Sequence, residues 1–243
     1  HTSIRGLFLP GRPFRTSYRD AANVLGTVPG SAPQADTLVI SAHYDHLGRR
    51  GGDLYPGADD NASGVSALLS AATFFAANPP AHPMLFASFD AEELGLRGSK
   101  TFVASRPAGL SHIALNINLD MVSRNPDNEI FASGTWKEPA LRRVLTDVQK
   151  AAEVKILFGH DRPMWRAGFV ENWTTQSDHG SFHEAGIPFL YFGVADHDDY
   201  HRPTDTPERI DPVFFGNVAD MVVEALVQLD RRIPARGGLA GSL

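Results

Sequence analysis

Histidine and aspartate side chains are concentrated in residues 41–64, SAHYDHLGRRGGDLYPGADDNASG, which hold two histidines and four aspartates. The first histidine, His43, follows a short apolar and β-branched run that predicts a buried strand. Asp60 precedes an apolar run, residues 65–77, whose spacing predicts a helix. Side chains that extend from the ends of two rigid elements can bind a metal or act in catalysis.

Two later apolar runs also end in acidic side chains. Residues 84–89 predict a buried strand that is followed by Glu92 and Glu93, and residues 113–119 predict one that is followed by Asp120. In open α/β sheets, ligands bind outside the carboxyl ends of the strands. Buried carboxylates need partners, and few lysines or arginines lie beside these in the sequence, so a cation is the simplest partner.

Imidazole and carboxylate ligands without thiolates are typical of zinc in a hydrolytic site, with manganese or cobalt as substitutes. Five such ligands exceed the number that one catalytic zinc normally takes. Two metals about 3.5–4 Å apart that share one carboxylate would use all five. Because adjacent side chains point in different directions, Glu92 and Glu93 can divide their roles: one binds metal while the other moves a proton.

The alternation of predicted strands and helices indicates an α/β fold, a single domain of residues 1–243 with a mixed, centrally parallel β-sheet sandwiched between helices. A strand is predicted over residues 187–194, and helices over residues 138–152 and 212–232. Residues 1–21 show little periodicity and predict an irregular N-terminal arm. Residues 233–243 predict a loose tail.

Composition excludes several classes of function. The net charge is −6 and no basic cluster is present, which argues against a nucleic-acid partner. The absence of cysteine excludes thiolate ligands and a cysteine nucleophile. No apolar run approaches the roughly 18 residues of a membrane span, so no membrane partner is expected. The chain opens without methionine and without a signal-peptide pattern, and we expect that N-terminal sequence has been removed.

Six segments together resemble the di-zinc exopeptidase family of bacterial secreted aminopeptidases and glutamate carboxypeptidases, to which glutaminyl cyclases are related in fold. They are SAHYDHLG, PGADDNASG, FDAEELGLRGS, NLDM, SDHGSF and DYHRPTDTPERID. The resemblance extends from about Asn23 to the last predicted helix. It implies a zinc aminopeptidase-like fold of three layers, two zinc ions per chain, a peptide substrate with a free N-terminus, and a periplasmic or extracellular location.

The resemblance also implies a role for individual residues. One zinc would be held by His43 and Asp120, the other by Glu93 and His201, and Asp60 would bridge them. Glu92 would be the general base that takes a proton from a water bridging the metals. Asp45 would orient the imidazole of His43, Tyr200 would hydrogen-bond the oxyanion, and a cis peptide bond would follow Asp60.

Other residues are predicted to have supporting roles. His46 and Asp59 are expected to surround the ligands rather than bind metal, and Asp205 is expected to tether its own loop. Ser177 and Asp178 are expected to cap a short helix. A wall of apolar side chains is expected to line the substrate pocket: Met164, Trp165, Phe169, Trp173 and Phe192.

Three alternatives to an aminopeptidase stay open. A single-zinc glutaminyl cyclase shares the fold but typically has tryptophan where this chain has Tyr200. A carboxypeptidase or dipeptidase would need arginines near the substrate carboxylate, for which Arg124, Arg162 and Arg166 are the candidates. A non-catalytic binding module would usually have lost ligands or the base, and here they are all present.

Overall fold

A seven-stranded mixed sheet forms the centre of the molecule in the computed structural model, which describes residues 2–6, 14–18, 20–32, 34–107, 110, 112–167 and 170–237. The strands are β1 Thr2–Gly6, β2 Phe14–Tyr18, β3 Val24–Val28, β4 Thr37–His43, β5 Gly48–Arg50, β6 Asp53–Tyr55, β7 Met84–Phe89, β8 Ile113–Leu119, β9 Glu129–Ser133, β10 Lys155–Phe158 and β11 Phe189–Gly193. The helices are α1 Gly64–Ala77, α2 Arg97–Ala104, α3 Pro139–Val148, α4 Met164–Ala167, α5 His179–Glu184 and α6 Pro212–Arg232.

Four neighbouring strands at the centre of the sheet are parallel. The order along the sheet is β10-β9-β11-β8-β4-β7-β3, and the β11–β8, β8–β4 and β4–β7 pairs are all parallel. The sheet becomes mixed at both ends, where β3 and β9 pair antiparallel with their inner neighbours. The prediction of a mixed, centrally parallel sheet is confirmed. Because β4, β7 and β8 are parallel, their carboxyl ends lie at the same edge of the sheet.

Helices cover both faces of this sheet. Leu38 and Ile40 of β4 belong to the larger apolar core, which includes residues of α1, α3 and α6. Val39, between them, points the other way into a second cluster with Phe102 of α2 and Phe182 of α5. Because side chains alternate along a strand, a continuous apolar run such as residues 38–40 has apolar neighbours on both faces. The three-layer prediction is therefore confirmed.

The two ends of the chain differ from their predictions. Within residues 1–21, which were predicted to be irregular, β1 and β2 pair as an antiparallel ribbon. The alternation of Phe14, Thr16 and Tyr18 with polar residues is the strand signal that was missed. The described part of the predicted loose tail, residues 233–237, is also held in place, since Ile233 is buried and the Arg236 guanidinium bonds Gln34. Residues 238–243 lie outside the described part.

Helix α6 is long and apolar enough, by length and composition alone, to cross a membrane. The composition had predicted no such stretch. Most of the apolar side chains along one side of α6 are buried in the core: Phe214, Val218, Met221, Val222, Leu226 and Leu229. A core helix meets the same criterion, so α6 is weak evidence for a membrane span.

Candidate metal centre

The five predicted metal ligands come together at the edge where the parallel strands end. His43 is the last residue of β4, while Glu93 and Asp120 follow β7 and β8. Asp60 lies in a wide helical turn, Ala58–Ser63, that leads into α1, and the peptide bond that follows Asp60 is cis. His201 comes from the loop between β11 and α6.

Each oxygen of the Asp60 carboxylate faces one pair of potential metal ligands, and the two pairs are different. Its Oδ1 lies 3.3 Å from His43 Nε2, which is also 3.4 Å from Asp120 Oδ1. Its Oδ2 lies 3.1 Å from His201 Nε2, which is also 3.3 Å from Glu93 Oε2. This is the arrangement expected of a carboxylate that bridges two metal ions.

The contacts of the His43 ring are those expected if a cation lies beside its Nε2 atom. Its Nδ1 lies 3.0 Å from the backbone carbonyl oxygen of Asp45, which can only accept, so Nδ1 carries the hydrogen. The Nε2 atom therefore directs its lone pair at two carboxylates unless a proton or a metal lies there. Burial lowers the pKa of His43, but Asp120 and Asp60 outweigh it and hold that pKa well above 6.5. The donor set fits zinc.

A cavity of about 330 Å³ opens over the ligands and is lined by Glu92, Tyr200 and all five of the predicted ligands. No lysine or arginine of the described residues lines it. Burial, together with Asp120, Asp178 and Glu93, raises the pKa of Glu92 to about 9 against the opposing effect of His43. Asp60, Glu93 and Asp120 line the same cavity with no lysine or arginine among its described lining residues, and a bound cation would offset the charge of their carboxylates.

Asp45, which the resemblance implied would orient the imidazole of His43, contacts that ring and also a second segment. Its carboxylate is 3.7 Å from His43 Nδ1, and its backbone carbonyl makes the contact with the ring. The carboxylate instead accepts hydrogen bonds from the backbone amides of Glu92 and Glu93, at 2.9 and 3.3 Å. Asp45 thus orients His43 through its main chain and holds the Glu92-Glu93 backbone through its side chain.

His46 lies closer to the centre than the sequence had predicted. Its Nδ1 is 2.9 Å from Glu93 Oε1 and 3.7 Å from Asp60 Oδ2, so Glu93 lies between His46 and His201. His46, Asp60 and Glu93 together form a second group that could hold a metal ion, beside His43, Asp60 and Asp120. The signal in the sequence is the spacing of three residues between His43 and His46 after a strand.

Of the three residues of the predicted apolar wall whose side chains are described, one lines the cavity and two do not. Trp173 lines the cavity, but Phe192 is buried in the main core and Trp165 is 77% exposed on the surface. The side chain of Met164 and the whole of Phe169 lie outside the described residues. Polar side chains make up much of the wall instead, among them Thr175, Gln176 and Asp196.

Ser177 and Asp178 do not cap α5 with their side chains. Ser177 Oγ accepts a hydrogen bond from Asn118, and the carboxylate of Asp178 is fully buried without a hydrogen-bond partner. Burial is the main reason why the pKa of Asp178 rises to about 7. The capping prediction is wrong because Asp178 has helical backbone angles, whereas a capping residue is usually extended, and because the Ser177 hydroxyl is engaged by Asn118.

The model of peptidase family M28 matches residues 23–226. The chain belongs to peptidase family M28. Aminopeptidase YwaD of Bacillus subtilis (strain 168) is 30% identical over 227 residues, which cover 85% of this chain and 44% of YwaD. The solved structure of BSAP, a zinc aminopeptidase from Bacillus subtilis, has a TM-score of 0.69 and 26% identity over 84% of this chain and 49% of that chain.

A glutaminyl cyclase from Tannerella forsythia also has this fold, with a TM-score of 0.64 and 18% identity over 93% of this chain and 82% of that chain. At that identity the likeness concerns the fold alone. The M28 chain described here spans about half the length of the aminopeptidases it matches. Membership of family M28 confirms the resemblance that the six sequence segments indicated.

Proposed function

We propose that this M28 chain is the catalytic domain of an aminopeptidase that binds two zinc ions and removes N-terminal residues from peptides. The observation that carries the proposal is the position of Asp60, whose two oxygens face His43 and His201 on opposite sides. Asp120 and Glu93 complete the two groups. In this proposal Asp60 is the shared ligand, as the resemblance implied.

When bound, zinc would polarise the scissile carbonyl, lower the pKa of a water and offset the negative charge around Glu92. Glu92 lines the cavity beside the ligands, and Asp45 fixes its backbone. In the proposed reaction Glu92 accepts a proton from the attacking water and delivers it to the departing amine. Tyr200, which also lines the cavity, donates its phenol hydrogen to the oxygen of the carbonyl under attack.

The charges around the cavity favour a substrate with a free amino group. A carboxypeptidase binds a negative terminus, yet Arg124 is engaged with Asp199 and Asp205. The guanidinium groups of Arg162 and Arg166 lie over the Trp136 ring, and neither residue lines the cavity. In the described part of the chain, no lysine or arginine lines the cavity to pair with a C-terminal carboxylate, which favours a substrate bound through its amino end.

Amino-acid anilides with free and acetylated N-termini test the proposal. We expect hydrolysis of the free forms only, loss of activity in chelator and recovery with two equivalents of zinc. Release of C-terminal residues from N-blocked peptides would instead identify a carboxypeptidase. One tightly bound zinc together with cyclisation of N-terminal glutamine would identify a cyclase, and a failure to bind zinc would indicate a binding module. The periplasmic or extracellular location stays a prediction.

A further inference from the structure

A buried carboxylate behind the metal centre, that of Asp205, has no part in the reaction proposed above. It is fully buried and lies four residues after His201. Both of its oxygens accept from the backbone amide of Asp59 at 3.1 Å, and Oδ2 also accepts from the amide of Asp60 at 3.1 Å. Its backbone carbonyl accepts from the amide of Ala58 at 3.1 Å. Asp205 therefore holds three consecutive residues of the turn that carries Asp60.

The side chain of Asp59 extends this contact to a second segment. Its Oδ1 accepts hydrogen bonds from the amide and the hydroxyl of Ser123, at 2.9 and 2.7 Å. Its Oδ2 lies 2.9 Å from His197 Nε2. Ser123 follows the ligand Asp120 by three residues, so Asp59 ties the Asp60 turn to the end of β8.

Arg124 joins the same group from the edge of the protein. It donates to Asp199 at 2.7 Å, and its Nη2 lies 3.5 Å from Asp205 Oδ1. The segments that carry Asp60, Asp120 and His201 thus meet in one network, whose members Asp59, Ser123, Arg124 and Asp205 do not line the cavity. Hydrogen bonds to ionised carboxylates are stronger than neutral ones, so such a network can fix the positions of all three segments.

We propose that Asp205 is a positioning residue for the metal centre, which acts by fixing the backbone of Asp60. In the proposed site each oxygen of Asp60 binds a different metal ion. A small rotation of the turn that carries Asp60 would therefore weaken the binding of both metal ions at once. The inference rests on the proposed zinc site, but it concerns the assembly of that site and not the reaction. Partners of this kind typically change metal affinity about 10- to 100-fold when they are mutated.

The chain contains a matched control in Asp230 of α6. Its carboxylate also accepts from two consecutive backbone amides, those of Ala81 and His82, at 2.9 and 2.8 Å. It too is buried and lies beside a histidine, His82. These contacts are at the amino end of β7, about 20 Å from the metal ligands for a strand of that length.

The experiment compares Asp205→Asn with Asp230→Asn in the intact chain. The dissociation constant for zinc is measured by competition with a chromophoric chelator, and the unfolding temperature is measured in metal-free protein. We expect both variants to unfold at lower temperature. Zinc affinity should fall at least about 10-fold in Asp205→Asn and stay within about 2-fold of the parent in Asp230→Asn.

Equal zinc affinity in Asp205→Asn and the parent would overturn the inference, as would an equal loss of affinity in both variants. If Asp205→Asn does not fold, the zinc affinity of Arg124→Gln is measured instead, because the Arg124 guanidinium contacts the Asp205 carboxylate and is itself partly exposed. A zinc affinity at least about 3-fold weaker supports the inference, and an unchanged one overturns it. A parent that binds no zinc would refute the proposed metal centre itself, whereas a parent that binds zinc without hydrolysing peptides would refute only the proposed reaction.

Discussion

The Oδ1 atom of Asp45 accepts a hydrogen bond from the backbone amide of Glu92 at 2.9 Å. Its Oδ2 atom accepts from the next amide, that of Glu93, at 3.3 Å. A single carboxylate therefore holds the backbone of both the proposed base and a proposed zinc ligand. The loop after β4 and the loop after β7 are joined at this point.

Asp45→Asn is expected to lower kcat more than it lowers zinc affinity. Asparagine can accept only one of the two hydrogen bonds, while His43 keeps its contact with the backbone carbonyl of residue 45. A displacement of about 1 Å at a catalytic group can reduce the rate about 10²-fold. Steady-state kinetics and zinc competition measure the two effects separately. Asp53→Asn, in the exposed strand β6, serves as the control and should change neither value.

Glu92→Gln and Glu93→Gln are expected to fail in different ways. Glu92→Gln should retain two zinc ions and lose about 10²- to 10⁴-fold in kcat, because a general base of this kind contributes about that much. Glu93→Gln should lose zinc, because Glu93 Oε2 lies beside His201 and Oε1 beside His46. Metal analysis and kinetics on the same samples check this. Near-normal hydrolysis by metal-loaded Glu92→Gln would show that the proposed mechanism is wrong.

Tyr200→Phe is expected to lower kcat with little change in zinc content. Loss of one donor to an oxyanion costs about 10²- to 10³-fold in kcat. Burial is the main reason why the pKa of Tyr200 rises above 10, so its phenol stays protonated over the neutral range. A Tyr200→Phe variant with unchanged kcat would remove Tyr200 from the mechanism.

The contact between His82 and Asp230 is expected to make stability depend on pH. A hydrogen bond to Asp230 is the main reason why the pKa of His82 is raised above 6.5. Burial would raise the pKa of Asp230, but hydrogen bonds from His82 and two amides lower it below 3.8. The contribution of the His82–Asp230 contact to the free energy of unfolding is thus fully present between pH 3.8 and pH 6.5. It is lost as the pH rises through the raised pKa of His82, or falls through the lowered pKa of Asp230.

Denaturant unfolding of the parent and of His82→Gln between pH 6 and pH 9 measures this contribution. The difference in the free energy of unfolding between the two proteins should shrink as the pH rises. The contact lies at the opposite end of β7 from the ligands, so the titration of the metal centre contributes equally to both proteins. A constant difference over that range would contradict the expected linkage.

The sequence predicted the strands and helices that position the candidate site more accurately than it predicted the side-chain contacts within that site. Strand β8 and helix α6 have the bounds that their apolar patterns predicted, because buried strands and amphipathic helices show clear periodicity. The clustering of His43, Glu93 and Asp120 followed from the prediction that these strands are parallel and end at the same edge of the sheet. Asp45 was placed beside His43, yet its carboxylate lies with the amides that follow β7, a contact that no local spacing can indicate.

The role of Asp205 was also beyond local reasoning. The sequence predicted that Asp205 tethers its own loop, and the structure shows it bonded to residues that are far away in the chain. Phe192 was predicted to line the pocket because it is a large apolar residue near the site. A strand residue points to one face or the other, and the face of β11 that holds Phe192 packs into the core.

The proposed ligand His43 belongs to the first strand of the parallel centre along the chain, whereas the proposed ligand His201 comes after its last strand. A nascent chain that has not yet delivered β11 and its loop therefore lacks His201, although the group of His43, Asp60 and Asp120 is already present in it. In the proposed metal centre the full set of five ligands is therefore complete only after β11 has joined the sheet. Full zinc uptake would accordingly report the completion of the whole domain during refolding.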